Sequence, residues 1–436
     1  MSARSSKLVF TGVIFIAFAA AGYKTYSRPA DADFVVSNAK PSPSKPLALP
    51  ESTARLGQTP RFDAQFVSSN PGQAVHAPSI VELRDGGLRA VWFSGSREGA
   101  GDVKVQTATL SPASQRWGTE TTLFNRSQLA GGLWRYVKKI GNPVIARAPD
   151  GSLHIWVVNV SLGGWAGSAI TWARSIDEGV TWSAPKRLVT SPFLNISTLV
   201  KGAPVAMTDG SVSLPVYHEF ITKFGEVLRI NAQGQVTGKT RIPGSHTSLQ
   251  PVILVASPLQ GTAYMRAGQG GRVVVSKTID AGKTWGQASA INLPNPDSAL
   301  AGLTTSGGDN WLALNPTALG RQSLAVFKAE RSGDFDATKP LFIEGSGASQ
   351  QSLGSNLSAA EHAAALSREL KAQGASDADT LAYIASAARQ LCNAATCVQE
   401  FSYPFLLQTR DGSIHLVYTW QRSRIKYVRI DHAALD

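Results

Sequence analysis

A short segment that occurs twice constrains the fold of this chain more than any other feature. Ser175–Trp182 reads Ser-Ile-Asp-Glu-Gly-Val-Thr-Trp, and Thr278–Trp285 reads Thr-Ile-Asp-Ala-Gly-Lys-Thr-Trp. Each copy follows a β-rich run, Ala169–Ala173 before the first and Arg272–Ser276 before the second. In a tight turn the Asp can accept hydrogen bonds from backbone N–H groups, the Gly takes the positive φ, and the Trp packs beneath the hairpin. Two such copies predict an internally repeated β protein in which these aspartates are structural.

A second pattern, two apolar strands joined by a tight turn, recurs along the whole chain. The turns carry Asp85-Gly86, Asp150-Gly151, Asp209-Gly210, Pro258-Leu-Gln-Gly261, Gly308-Asp309 and Asp411-Gly412. Asp-Gly between strands is a strong hairpin signal. The turns recur every 50–65 residues or so, which suits blades of four short strands. The pattern predicts an all-β fold, a six-bladed β-propeller over residues 59–433.

The interval before the last turn is longer because residues 355–398 interrupt the strand pattern. Ser358-Ala-Ala-Glu361 has the form of a helix-capping box, and the Ala-rich stretches Ala359–Gln373 and Asp377–Leu391 have helical spacing. We expect two helices packed on one face of the propeller. They could form a lid, a surface that binds a partner, or an insertion without a function of its own.

The N-terminal residues predict export. Arg4 and Lys7 precede an uncharged run, Leu8–Gly22, which ends in small residues. Residues 1–27 therefore form either a cleaved signal peptide or an uncleaved anchor. Residues 28–58 are rich in Pro, Ser and Ala, which is typical of a linker. We expect an extracytoplasmic location: periplasmic, secreted or anchored to the outer side of the inner membrane.

The net charge and the two cysteines limit which partners and metal sites the chain is expected to have. The net charge is +12, yet the chain has no block of five or more basic residues and no nucleic-acid motif, so we expect no nucleic-acid partner. Outside the cytoplasm, a basic protein is expected to meet acidic polysaccharide or lipid headgroups. Cys392 and Cys397 lack the companions of a zinc site, and they either form a short disulfide or remain free thiols. No metal or cofactor is expected.

With these repeats, two further segments resemble the sialidase (neuraminidase) superfamily, particularly its bacterial BNR-repeat branch. The first is Val75-His-Ala-Pro-Ser79, in which His76 stands where the family carries an arginine that binds the substrate carboxylate. The second is Gly95-Ser-Arg-Glu-Gly-Ala-Gly-Asp102. It keeps the family spacing from Arg97, a substrate-binding candidate, to Asp102. The resemblance implies that Asp102 is the catalytic acid/base.

Four more positions correspond to functional positions of the family, and three of them keep the family's residue type. Gln250 occupies the position of the family's catalytic Glu, and Arg266 follows it at the spacing of the second carboxylate-binding arginine. Arg321, after Asn315-Pro316, corresponds to the third such arginine. Tyr403 lies eight residues before Asp411, where the family carries its nucleophile. Sialidases depart from the two-carboxylate scheme of other glycosidases by using this tyrosine.

The departures from the family pattern bear on catalysis. A tyrosine, with an ordinary pKa near 10, needs a base before it attacks, and Gln250 cannot accept a proton. Glu219, in Tyr217-His-Glu-Phe220, or His76 could serve instead. The imidazole of His76 cannot reproduce the planar, bidentate contact of arginine. Further candidates near the site are Asn142, Lys201, Arg422 and Arg424.

Three functions follow from this reading. The first is an exported, sialidase-like exo-glycosidase that cleaves an acidic sugar of sialic-acid or uronic type. The second is a polysaccharide lyase, in which His76 or Tyr403 removes the proton α to a uronate carboxylate. The third is a non-catalytic binding or assembly factor for surface polysaccharide on the same scaffold, which the replacements at His76 and Gln250 favour.

Overall fold

The structure of the protein is a computed structural model that describes residues 11–16, 18–19, 31–36, 62–191, 195–268, 271–331, 334–345 and 356–430. Within these ranges the strands form six antiparallel sheets. Neighbouring sheets contact each other mainly through their first strands, as expected for blades around a central axis. The prediction of a six-bladed β-propeller is confirmed.

The strands follow the blade order, with the N-terminal strand β1 (Phe62–Phe66) assigned to the last blade. Blade 1 contains β2 (Ala74–Glu82), β3 (Leu88–Gly95), β4 (Lys104–Leu110) and β5 (Thr121–Phe124). Blade 2 contains β6 (Lys139–Arg147), β7 (Leu153–Val160), β8 (Ser168–Ser175) and β9 (Lys186–Arg187). Blade 3 contains β10 (Leu199–Val200), β11 (Val205–Ala206), β12 (Val212–His218), β13 (Phe224–Ile230) and β14 (Val236–Arg241).

Blade 4 contains β15 (Leu249–Val255), β16 (Gly261–Arg266), β17 (Arg272–Thr278) and β18 (Ser289–Pro294). Blade 5 contains β19 (Ala301–Thr304), β20 (Asn310–Leu314), β21 (Leu324–Ala329) and β22 (Leu341–Glu344). Blade 6 contains β23 (Phe401–Gln408), β24 (Ile414–Trp420) and β25 (Arg424–Ile430), and β1 pairs antiparallel with β25. This pairing closes the ring, because the outermost strand of the last blade comes from the start of the propeller.

The predicted hairpin turns join the first two strands of each blade, except in blade 3, where the turn joins the short strand β11 to β12. In four of them an Asp carboxylate accepts a hydrogen bond from the backbone N–H two residues later: Asp85 from Gly87, Asp150 from Ser152, Asp209 from Ser211 and Asp411 from Ser413. The intervening glycines have φ between 80° and 86°. These local bonds explain why the turns could be read from the sequence.

The two Asp-containing repeats form matching turns after the third strands of blades 2 and 4. Asp280 accepts hydrogen bonds from Thr278 Oγ1 (2.8 Å), Thr284 N (2.9 Å) and Thr284 Oγ1 (2.5 Å). Glu178, within the first repeat, pairs with Arg147 near the Asp150 turn. The first repeat therefore lies at the end of the propeller that carries the Asp-Gly turns.

A bulge interrupts the innermost strand of four blades at the same point. Each bulge places a non-glycine residue with a positive φ directly before a proline: Ala77 (φ 54°), Asn142 (φ 35°), Gln250 (φ 53°) and Tyr403 (φ 54°). A non-glycine residue in this region is strained by about 1–3 kcal/mol, and such strain concentrates at functional sites. The four bulges lie at the end opposite to the Asp-Gly turns.

Three α-helices occur in the described residues of the propeller. They are α1 (Arg126–Leu133), between blades 1 and 2, and α2 (Ala359–Ala372) and α3 (Asp377–Leu391), before blade 6. The pair α2–α3 is the predicted insertion, and Ser358 caps α2 through the expected box with Glu361. Cys392 and Cys397 form a disulfide. Of the two alternatives, a short disulfide or free thiols, the first is therefore correct.

Residues 31–36, inside the predicted linker, pack on blades 3 and 4. Phe34 is 1% exposed and donates its N–H to the Pro258 carbonyl at 2.8 Å. The remainder of the predicted linker, and most of segment 1–27, lie outside the described residues. Residues 11–16 and 18–19 are helical. Among the residues that are described, no helix is long and apolar enough to cross a membrane.

An axial cavity of about 500 Å³ opens near the Asp-Gly turns. Aliphatic side chains from the inner strands line it, including Ile80, Ile145 and Leu303. Lys201, in the gap between β10 and β11, lines a smaller adjoining space of about 10 Å³. Its ammonium group donates hydrogen bonds to the carbonyls of Leu300 and Pro404 and so connects blade 3 to blades 5 and 6 across the axis.

Candidate active site

The candidate site lies where the innermost strands begin, at the end that carries the four bulges. His76 on β2, Gln250 on β15 and Tyr403 on β23 are inner-strand residues, whereas Arg266 ends β16 and Arg321 follows β20. The propeller brings these five together although up to 327 residues separate them in the sequence. Blades 1, 5 and 6 each contribute one of these side chains, and blade 4 contributes two.

Gln250 is the centre of a hydrogen-bonded group. Its Nε2 donates to Tyr403 Oη at 3.2 Å and to Tyr217 Oη at 3.4 Å. Arg266 Nη1 donates to Gln250 Oε1 at 3.2 Å. Because arginine can only donate, this contact fixes the amide orientation and directs the NH₂ group to the two tyrosines. Asn142 Nδ2 also donates to Tyr217 Oη, at 3.1 Å.

Two carboxylates hold three arginines in a row. Asp297 Oδ1 accepts from Arg266 Nε at 2.6 Å, and the Asp297 carbonyl accepts from Arg321 Nη2 at 3.2 Å. Glu400 accepts from Arg321 Nη1 at 3.3 Å and from Arg422 Nε at 2.9 Å. Burial alone would raise the pKa of Glu400, but the guanidinium groups of Arg422 and Arg321 outweigh it and hold that pKa below its usual value.

His76 is buried among these cations. It is 4% exposed, and its ring packs on that of Tyr403 with centroids 4.2 Å apart. Its Nδ1 is buried and has no hydrogen-bond partner among the described residues. Burial lowers the pKa of His76 well below its usual value, and the positive charges of Arg422 and Arg321 lower it further. The imidazole is therefore neutral at pH 7.

Glu219 and Lys201 lie beside this group, and the pKa values of both are shifted. Glu219 follows β12, and burial raises the pKa of its carboxyl although Lys223 and Arg266 oppose the shift. Burial lowers the pKa of Lys201 to about 7. Both groups can therefore change protonation state nearer to neutral pH than usual, which is common at functional sites.

Arg97 and Asp102 lie on the exposed loop between β3 and β4. The Asp102 carboxylate accepts from Ser96 N at 2.9 Å and from Ser96 Oγ at 3.0 Å. The same loop reaches the site through Glu98, whose carboxylate accepts from Arg422 Nη1 at 3.4 Å. Within the described residues, no polar contact joins Arg97 or Asp102 to the buried group.

Several residues of the site were not predicted from the sequence. Tyr217 is the last residue but one of β12 on blade 3, and Arg266 is the last residue of β16 on blade 4. This similar position could have identified Tyr217. Asn142, by contrast, was predicted as a candidate, because it precedes a blade-strand proline. Glu400 and Asp297 carry no local signal, because their importance comes from arginines of other segments.

Fold and site together define a sialidase-like propeller. Residues 86–416 match the family of BNR repeat-like domains, and the chain belongs to this family. No curated protein sequence is significantly similar to the chain.

The chain also resembles solved structures at low sequence identity. It is 14% identical to the Hadza microbial sialidase Hz136, with a TM-score of 0.60 over 83% of this chain and 66% of that one. It therefore spans slightly less than two thirds of that sialidase. Its identity to the NanB sialidase from Streptococcus pneumoniae is 9%, with a TM-score of 0.61 over 88% and 72% of the two chains.

A shorter structural relative is matched almost completely. The intramolecular trans-sialidase from Ruminococcus gnavus is 11% identical, with a TM-score of 0.55 over 85% of this chain and 96% of that one. At such identities the comparison shows a shared fold. Activity and substrate must be argued from the residues of this chain.

Proposed function

We propose that the protein is a sialidase-like glycosidase that acts on an acidic sugar at the site around Tyr403. The observation that carries the proposal is the group in which the Tyr403 hydroxyl, Gln250 and Arg266 are joined by hydrogen bonds of 3.2 Å. Arg266 and Arg321 would bind the sugar carboxylate through charge-assisted hydrogen bonds. Tyr403 would attack the anomeric carbon, and Asp102 would protonate the leaving oxygen and later activate water.

The proton of Tyr403 needs a base other than Gln250. The NH₂ group of Gln250 faces the phenol, so it supports developing negative charge on the oxygen and accepts no proton. His76 is the better candidate, because it is neutral and packs on the Tyr403 ring. The raised pKa of Glu219 makes that residue the second candidate for proton transfer.

A lyase is the second candidate function, and the pairing of neutral His76 with Tyr403 favours it. In this reaction His76 would remove the proton α to a uronate carboxylate, which the arginines neutralise. The electron pair would then form a C=C bond as the glycosidic oxygen leaves, and Tyr403 would protonate that oxygen. The reaction needs no carboxylate base at position 250, which agrees with the glutamine found there.

The location and partner that we propose rest on the sequence. The N-terminal run Leu8–Gly22 and the net charge of +12 support an extracytoplasmic protein that meets acidic carbohydrate or surface polysaccharide. The same N-terminal segment would anchor the protein to a membrane if it is not cleaved. Nothing in the sequence favours nucleic acid as a partner.

A panel of acidic glycans distinguishes these functions. The purified protein is incubated with sialylated and uronate-containing glycans, and released sugar and ultraviolet absorbance are followed. Free acidic sugar without absorbance indicates the glycosidase, and an unsaturated, absorbing product indicates the lyase. Retention on a glycan without turnover would identify a binding protein and rule out both reactions.

A further inference from the structure

We propose that Arg422 supplies the third guanidinium of the anion site and that the inserted helices α2 and α3 hold it in place. This inference rests on the proposed recognition of an acidic group. Arg422, which lies on blade 6, would supply the guanidinium that His76 does not provide on blade 1. The insertion would have the role of positioning Arg422.

Arg422 lies beside His76 because the loop after β24 is bonded to the start of β2. Val75 N donates to the Arg422 carbonyl at 3.0 Å. Arg422 itself has φ 50°, in the left-handed region, and this strained conformation is typical of residues held for function. Among the charged neighbours of His76, Arg422 has the largest effect on the imidazole.

Glu400 fixes Arg422 next to Arg321. One carboxylate oxygen accepts from Arg321 Nη1 and the other from Arg422 Nε. Ser402 Oγ donates to Glu400 Oε1 at 2.6 Å, which restricts the carboxylate further. Within the described residues, Nη2 of Arg422 and Nη2 of Arg266 have no acceptor, so both can donate to a bound anion.

The charges around the group leave room for one anion. Arg266, Arg321 and Arg422 pair with the carboxylates of Asp297 and Glu400 at distances of 2.6–3.3 Å, so these three cations exceed the two closely paired anions by one. At the rim, Glu98 approaches Arg422 at 3.4 Å and is 40% exposed. This long, exposed contact is weak. A substrate carboxylate can therefore displace Glu98 and neutralise the remaining charge.

The insertion reaches Arg422 through Gln421. Gln421 N donates to the Glu400 carbonyl at 2.8 Å, and Glu400 N donates to Gln421 Oε1 at 3.2 Å. Leu366 on α2 packs in one buried apolar cluster with Trp420, the residue before Gln421. Burial lowers the pKa of His362 on α2, and the nearby Gln421 side chain opposes that shift. His362 Nδ1 lies 4.0 Å from Cys392 Sγ.

The disulfide completes this connection. Cys392 follows α3, and its partner Cys397 lies three residues before Glu400. Because both sulfur atoms are in the disulfide, the cluster with His362 offers no thiolate to a metal. The helices and the disulfide thus support the residues that orient Arg422.

Equilibrium binding tests the role of Arg422. The probes are N-acetylneuraminate, glucuronate and, as an anion without a sugar, sulfate. We expect Arg422→Gln to weaken binding about 10- to 100-fold, the scale of a lost charge-assisted hydrogen bond, and Arg321→Gln to have a similar effect. Arg422→Lys keeps the positive charge but loses the planar guanidinium group. Its anion affinity should therefore lie between those of Arg422→Gln and the wild type. The matched control is Arg368→Gln, an exposed arginine on α2, which should bind as the wild type does.

The sulfate arm separates this proposal from the proposed function. If the wild type binds sulfate but neither sugar, the proposed recognition of an acidic sugar is wrong. The effect of Arg422→Gln on sulfate affinity still decides whether Arg422 belongs to the anion site. Unchanged affinity in Arg422→Gln for every probe that the wild type binds would overturn the proposal. So would a wild type that binds no probe.

Gln421→Leu tests the positioning role of the insertion. We expect it to weaken anion binding several-fold in protein whose thermal unfolding midpoint is close to that of the wild type. Gln421→Glu keeps an acceptor for Glu400 N and should restore part of the affinity. A lower unfolding midpoint with unchanged anion affinity would show that the insertion only stabilises the fold.

Discussion

Tyr403 combines backbone strain with a chemically useful position. Its φ of 54° lies in a bulge that directs the side chain towards Gln250 and His76. Asn142 and Gln250 lie in the same kind of bulge. The inner strands therefore use one backbone conformation to direct side chains towards this end of the propeller.

We expect Tyr403→Phe to abolish glycosidic cleavage while substrate affinity changes little. The phenyl ring preserves the packing with His76, and only the attacking oxygen is lost. Loss of a nucleophile lowers turnover by several powers of ten, on the order of 10³-fold or more. Initial rates and equilibrium binding of the best glycan from the panel measure the two quantities. Tyr136→Phe, at a position that is 60% exposed, is the matched control. Full activity in Tyr403→Phe would exclude the nucleophile assignment.

Lys201 should give the folded protein a distinctive pH dependence. Burial lowers its pKa to about 7, whereas in the unfolded chain it is about 10.4. Between these values the unfolded chain binds more protons, so this group makes the free energy of unfolding rise with pH. Its contribution is complete above about pH 10.4 and is lost as pH falls towards 7.

Urea unfolding at pH 6, 7.5 and 9 measures this contribution. We expect the stability of Lys201→Met to rise less with pH than that of the wild type over the upper part of this range. Lys138→Met, at an exposed position, should follow the wild type. Parallel pH profiles for wild type and Lys201→Met would show that Lys201 titrates normally in the folded protein.

At the scale of elements, the Asp-containing turns stabilise blades and take no part in the site. Asp280 accepts three hydrogen bonds within its own turn. We expect Asp280→Ala to lower the free energy of unfolding by about 1–3 kcal/mol, because the turn's donors lose their acceptor, and to leave anion affinity unchanged. Chemical unfolding and sulfate binding check both expectations, with exposed Asp63→Ala as control. A large loss of anion affinity would contradict the structural role.

At the scale of the whole molecule, the N-terminal chain approaches the propeller away from the candidate site. Phe34 packs beside the turn at Pro258, and Val35 and Val36 line the axial cavity. Tyr403 and its neighbours open at the opposite end. If the segment before residue 31 remains in a membrane, the site would therefore face away from it.

An alkaline-phosphatase fusion after residue 60 tests the predicted location. Because this phosphatase folds only where its disulfides form, we expect activity if Leu8–Gly22 directs export. Replacing Val13 and Phe15 by Asp in the same fusion should abolish the activity, since a charged run no longer acts as an export signal. An inactive fusion with the natural segment would refute the predicted location.

The sequence by itself determined the features that depend on near neighbours. The Asp-Gly turns and the two Asp-containing repeats are closed by hydrogen bonds over two to four residues, so their residues reveal them directly. Alternating apolar strands between such turns then predicted the six blades. The capping box at Ser358 predicted the start of α2 in the same way.

Only the tertiary structure decided how the site is assembled. Gln250 and Tyr403 are 153 residues apart, and Arg321 and Glu400 are 79 apart. Resemblance located the first pair, but nothing local predicts that Glu400 joins two arginines or that Arg422 lies beside His76. Such contacts depend on which strand ends meet at the axis once the ring closes. Burial, which makes His76 neutral and shifts Lys201, likewise exists only in the folded chain.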